Sequence, residues 1–226
     1  MRVLAIDTAL EACSAAVLDT EEAAILSSET QIMVRGHAEA LMPLIASVMS
    51  QAGLRFSDMD RIAVTTGPGS FTGLRVGIAA ARGFGLAASR PVVGVTTLAA
   101  LAAPYIAADD TLPIAAVVDA RHRHVYLQLF GSGGKTLIPP RIVPLRDAAH
   151  ATSAASARLV GSGAAMIAGE WTDGEQPSLV DERRAPDIDW VARLGAAADK
   201  DRSAPKPLYL RAPDAQPQNG AQLPRR

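Results

Sequence analysis

The run Thr66-Gly67-Pro68-Gly69-Ser70-Phe71-Thr72-Gly73-Leu74-Arg75 has the make-up of a phosphate cradle: glycines, hydroxyls and a cation. A P-loop needs G-x4-G-K-[ST], because its lysine and hydroxyl reach phosphate and magnesium. Gly67 and Gly73 are present, but no lysine follows, and Arg75 comes two places late. The run therefore reads first as a strand-to-helix turn with Ser70 or Thr72 as helix cap. Its second reading is an anion contact at a helix N-terminus, made by Gly67, Gly69, Ser70, Thr72, Gly73 and Arg75. Asp7 and Asp119 close the apolar runs Val3–Ile6 and Ile114–Val118, where a metal-bound nucleotide could be held. Asp7 is followed by Thr8-Ala9-Leu10 without a glycine, so a turn cap is the better reading for both aspartates. His122 and His124 in one strand would place both rings on one face, but Arg121 and Arg123 beside them repel a metal cation. No His-Glu-x-x-His pair and no Gly-x-Ser-x-Gly elbow occurs, which leaves a zinc peptidase or elbow hydrolase unsupported.

The elements that position these residues follow from hydrophobic period. Val3–Ile6, Cys13–Leu18 and Ala24–Thr30 are predicted strands with short turns, an antiparallel meander. His37–Ala52 is a helix with a wide apolar arc, carrying Leu41, Ile45 and Val48. A strand over 61–66, the glycine run, a helix to Ser89, a strand over 91–95 and a helix over 98–108 complete a βββαβαβα order. The helix after the glycine run has a stripe of small residues, Gly73, Gly77, Ala81, Gly85 and Ser89, at i, i+4 spacing. Each interior glycine costs about 1 kcal/mol against alanine, so another backbone must approach closely. The pattern then restarts: strands over 114–118, 125–130, 138–143 and 159–160, and helices over 144–152 and 187–198. Trp171–Pro186 reads as loop and Leu208–Leu210 as a last strand. The division expected is 1–100, 101–211 and a tail, 212–226.

Composition narrows the class. About half of the 226 residues are apolar, enough for a real core. A net charge of −1 and nine aromatic residues argue against a dedicated nucleic-acid binder. The single cysteine, Cys13, allows no internal disulfide and suits a reducing cytoplasm. Asp7, Glu11 and Asp19 argue against a signal peptide, and charges interrupt every membrane-length apolar run. Residues 199–226 hold six basic and three acidic groups, a tail that reads as solvated, or else as touching a nucleic acid or ordering against a partner.

Four segments resemble the bacterial TsaB (YeaZ) family: Val3–Ala9, Gly67–Gly77, Asp119-Ala120-Arg121 with Val125-Tyr126, and Tyr209-Leu210-Arg211. The Gly-Pro-Gly-Ser-Phe-Thr-Gly-Leu-Arg run is the most specific of them. The resemblance implies an α/β actin/Hsp70/sugar-kinase-like (ASKHA) fold of two ribonuclease-H-like halves with mixed sheets flanked by helices. It implies a non-catalytic scaffold in making threonylcarbamoyladenosine, beside the anticodon of tRNAs reading ANN codons. The expected partners are a TsaD-like paralogue that transfers the threonylcarbamoyl group and a TsaE-like ATPase; tRNA is met indirectly through the complex. No membrane contact and no cofactor of its own are expected, ATP and Mg being used by the partners. Thr97 and Leu101 stand where the catalytic paralogue has a histidine metal pair, so no catalytic or metal residue is assigned. Asp7, Thr8 and Asp119 are then degenerate nucleotide-site positions. Pairing, with a homodimer formed the same way as an alternative, is expected through Leu41, Ile45, Val48, Leu74, Gly77, Ile78, Ala81 and Gly85. The competing reading is an ATPase, phosphotransferase or glycoprotease-like peptidase in its own right.

Overall fold

The unbroken apolar run Val3-Leu4-Ala5-Ile6 needs cover on both faces of a sheet, and the architecture supplies it. The computed structural model describes residues 1–171 and 176–211. β1 (Arg2–Asp7), β2 (Ala12–Asp19) and β3 (Ala24–Ile32) form the antiparallel meander. α1 (His37–Gln51) leads to β4 (Arg61–Thr65), which pairs parallel to β1. α2 (Phe71–Ala88) then returns the chain to β5 (Val92–Val95), giving the order β3-β2-β1-β4-β5. One face of this sheet, with Leu4, Ile6, Ile62 and Val64, packs on Leu41, Ile45 and Val48 of α1 and Ile78 and Ala81 of α2.

α3 (Thr97–Ala108), capped by the Thr96 hydroxyl, leads into the second half. There β6 (Ile114–Asp119), β7 (His124–Phe130) and β8 (Thr136–Pro144) form a second meander. α4 (Leu145–Ala154), β9 (Arg158–Val160), α5 (Ala164–Ala168) and β10 (Val180–Asp181) follow. The order β10-β9-β6-β7-β8 repeats the first sheet strand for strand. These are the two ribonuclease-H-like halves of the actin/Hsp70/sugar-kinase fold. α3 covers the inner face of the second sheet through Leu98, Leu101 and Ala102; α4 and α5 cover the outer one.

α6 (Ile188–Ala197) departs from the expected division at residue 100. Ile188, Val191 and Ala192 close the second face of the first sheet against Val3, Ala5, Ala63 and Val93. Gly195 lies so close to Ala63 that a Cβ would overlap it. The first lobe is therefore discontinuous, residues 1–96 plus α6 and the segment after it. That segment is also not a strand. Ser203 accepts the Gly94 amide at 2.7 Å and Leu208 donates to Thr66 at 2.7 Å, single bonds from a strap rather than a ladder. β10 lies within the stretch read as loop, and α5 was not foreseen; β10 is too short and α5 too brief to show a period. The tail expectation for 212–226 falls outside the described residues. Among the described residues no helix is long and apolar enough to cross a membrane.

Candidate functional site

β1 delivers Asp7 to its end completely buried. Its Oδ1 accepts the Ala9 amide at 3.0 Å and the Thr65 hydroxyl at 2.5 Å. Thr8 donates its hydroxyl to the Gly73 carbonyl at 2.7 Å, and the Ser70 amide donates to the Ala9 carbonyl at 2.7 Å. The β1–β2 turn and the glycine loop thus close on each other. Only glycine fits at 69 and 73, because a Cβ there would overlap the carbonyl oxygens of Ala9 and Thr8. Ser70 is the helix cap, its Oγ accepting the Gly73 amide at 3.3 Å. Thr72 is exposed and caps nothing. Arg75 stacks on the Phe71 ring at 3.8 Å and donates to the Tyr209 hydroxyl at 3.4 Å. The Ser70 amide and hydroxyl and the Gly73 amide are spent on the chain's own atoms, which counts against a phosphate cradled by the loop itself.

Asp7 and Asp119 differ in environment despite their matching positions. Burial pushes the Asp7 carboxyl above the usual carboxylate range, against the opposing pull of the Thr65 and Ala9 hydrogen bonds. Its Oδ2 has no partner among the described residues. Asp119 is exposed, and its Oδ1 accepts the Arg121 amide at 2.7 Å. Both aspartates cap turns, but only Asp119 faces the cleft between the lobes. That cleft, about 580 Å³, is lined by Glu11, Ser70, Phe71, Asp119, Arg121 and Ser162 among others. Across it the Glu11 amide donates to the Arg184 carbonyl at 3.2 Å, and the Arg211 guanidinium donates to the Ala120 carbonyl at 2.9 Å. His122 lies in the β6–β7 turn at φ 52°, outside the strand, so its ring does not share a strand face with His124. Thr97 and Leu101 are core residues. Among the described residues no three His, Cys, Asp or Glu side chains gather as a metal site.

The small-residue stripe of α2 points inward. Gly77 faces the Thr8 hydroxyl and Val64, and Gly85 faces Val92 and the Arg90 carbonyl. Leu41, Ile45, Val48, Leu74, Ile78 and Ala81 are each at most 3% exposed. The eight residues expected to meet a partner are therefore in this chain's own core, and that expectation is corrected. The reason is physical: helical period identifies a face but not the neighbour it meets. The outward crest consists of other residues. On α1 it is Ala38, Met42 and Ala46 at i, i+4 spacing; on α2 it is Ala79, Gly83 and Leu86. Met42 is 52% and Leu86 85% exposed. Gly83 has nothing within 4 Å of where its Cβ would be. That glycine lies off the stripe, which is the sequence signal that could have pointed to this crest.

The family model described as TsaD, tRNA N6-adenosine threonylcarbamoyltransferase, matches residues 25–178. An uncharacterized protein of Mycobacterium tuberculosis is 35% identical over 218 residues, 95% of this chain and 94% of that relative. The tRNA threonylcarbamoyladenosine biosynthesis protein TsaB of Escherichia coli is 36% identical over 126 residues, 56% of this chain and 53% of its own length. Among solved structures, YeaZ from Pseudomonas aeruginosa superposes with a TM-score of 0.77 at 30% identity, covering 92% of this chain and 99% of that one. With its glycine loop, its two matched sheets and these relatives, the chain belongs to the TsaB (YeaZ) family.

Proposed function

We propose that this protein is a non-catalytic subunit in the formation of threonylcarbamoyladenosine in tRNA, and that it acts by pairing with a TsaD-like transferase. The observation that carries the reading is the crest of α1 and α2. Ala38, Met42, Ala46, Ala79, Gly83 and Leu86 make an outward surface of small and apolar residues, bordered by the exposed Glu39 and Arg82. Gly83 gives up about 1 kcal/mol of helix propensity that no close contact inside the chain offsets. A helix pair from a partner packing across this crest supplies that contact. Because the partner is a paralogue of the same fold, its own two helices can meet these in a compact four-helix interface; a homodimer uses the same surface.

The absence of a catalytic role is supported by placement. Asp7 and Thr8 lie beneath the glycine loop, and Thr97 and Leu101 lie in the core. ATP and magnesium then belong to the partners, among them a TsaE-like ATPase, and the assembly works in the cytoplasm. The deciding experiment is reconstitution of tRNA modification with and without this chain. Loss of product on omission, with none from the chain alone, is the expected result. Turnover of magnesium-ATP by the isolated chain would instead favour an enzyme of the actin-like fold.

A further inference from the structure

From the mouth of the interlobe cleft we infer that this chain itself holds RNA there, contacting the phosphate backbone and an unpaired base of the tRNA. Three groups of residues lie at that mouth or beside it. The first is the β6–β7 turn, where Arg121, His122 and Arg123 are consecutive and all left-handed, at φ 63°, 52° and 56°. None is glycine, and each such residue costs about 1 kcal/mol or more. The turn keeps this strained shape and exposes both arginines. Arg123 is paired with Glu170, whereas the Arg121 side chain has no partner among the described residues. The second group is aromatic. Phe71 and Tyr209 lie 5.4 Å apart between ring centres and are 46% and 48% exposed. The third is cationic: Arg75 stacks on Phe71, and Arg82 donates to the Pro205 carbonyl. Neither is paired with a carboxylate among the described residues. Seven residues apart on one helix, these two lie about 10.5 Å apart along a single face. By helical phase Arg75 lies one turn before Ala79, and Arg82 lies between Ala79 and Leu86, so the pair borders the crest.

Arg82 lies farther along α2, but Phe71 and Arg121 line the same cleft, and Tyr209 and Arg75 join it through their contacts with Phe71. The carboxylates there are Glu11, which lies 3.7 Å from Arg184, and Asp119, which caps its own turn. An arginine-rich rim with half-exposed rings matches the chemistry of single-stranded RNA, where guanidinium groups take phosphate and rings take bases. The rim thus concentrates what the whole chain, at net charge −1 with nine aromatic residues, lacks on average. The identity of the RNA rests on the tRNA-modification reading; the rim's chemistry does not.

The test uses the full chain, alone and co-purified with its transferase, titrated with an unmodified tRNA transcript reading an ANN codon at several salt concentrations. Arg121→Glu and Arg75→Glu should each weaken binding about tenfold and make the salt dependence shallower by about one phosphate contact, with co-purification unchanged in Arg121→Glu, which lies away from the crest. Phe71→Ala should weaken binding with the salt slope unchanged. Arg121→Gly relieves the left-handed strain, so it should raise Tm while still weakening binding, a split that a purely structural turn would not give. Unchanged tRNA affinity and salt slope in the charge-reversal variants overturns the inference. So does loss of transferase pairing with unchanged affinity of the chain alone for tRNA, which would make the rim a protein contact. If the wild-type chain fails to pair with a transferase, the pairing reading falls, and the titration of the chain alone still decides this one.

Discussion

Asp7 shows how a position can keep its residue and lose the chemistry that residue could do. Its carboxylate is fully buried, and its hydrogen bonds to Ala9 and Thr65 are those of a turn cap. The Thr65 and Ala9 hydrogen bonds, and then the nearby His37 ring, which lies 3.0 Å from the Leu10 carbonyl, offset only part of the burial. Because burial raises this carboxyl's folded pKa, the folded chain holds the proton more tightly than the unfolded chain does. The resulting penalty is absent below the ordinary carboxylate range and grows as pH rises through the raised value, so stability falls over that window. Asp7→Asn keeps the Oδ1 acceptor and removes the charge. It should raise Tm at pH 7 and flatten the decline in Tm above about pH 4, read by thermal melts at a series of pH values. A residue that served a bound nucleotide would instead show its effect only on binding, with the pH profile unchanged.

At the scale of elements, α2 carries two messages that its sequence superimposes. The stripe Gly73–Gly77–Ala81–Gly85 was legible as a smooth face, and its direction was not, since the same i, i+4 spacing serves a sheet or a partner. The structure separates them: Gly77 is needed by Thr8, whereas Gly83 is needed by nothing in this chain. Gly77→Leu and Ala81→Arg should therefore unfold the protein rather than merely unpair it, with melts lost or lowered by several kcal/mol. Gly83→Ala should stabilise the isolated chain by about 1 kcal/mol in denaturant melts. Ala79→Arg and Leu86→Glu should leave the melt within about 0.5 kcal/mol and abolish co-purification with the transferase. Retention of pairing in both would remove the crest from the interface. The strands of both meanders were legible because short apolar runs and the turns between them are local signals. β10, with two residues, and the strap, with isolated bonds to Thr66 and Gly94, are fixed by tertiary contacts that leave no period in the sequence.

For the whole molecule, the repeat in the sequence foretold two matched sheets but not that the first lobe borrows its inner cover from beyond the second. α6 fills that place with Ile188, Val191 and Ala192, and the Arg61 guanidinium fixes its last turn by donating to the carbonyls of Gly195, Ala196 and Ala198 at 2.7–2.9 Å. Gly195→Val should drive a side chain into Ala63 and destabilise the first lobe by several kcal/mol, measured by hydrogen exchange as lost protection in β1, β4 and β5. Equal loss across both lobes would mean that they unfold as one unit. The borrowed helix also sets a timetable at the ribosome. The nascent meander can pair its strands and receive α1 and α2 early, but Val3, Ala5, Ala63 and Val93 stay bare while the entire second lobe is synthesised. At about 5–20 residues per second that interval lasts on the order of several seconds. During it an apolar sheet face is open to chaperones and to neighbouring chains, which makes the first lobe to be translated the last to be finished.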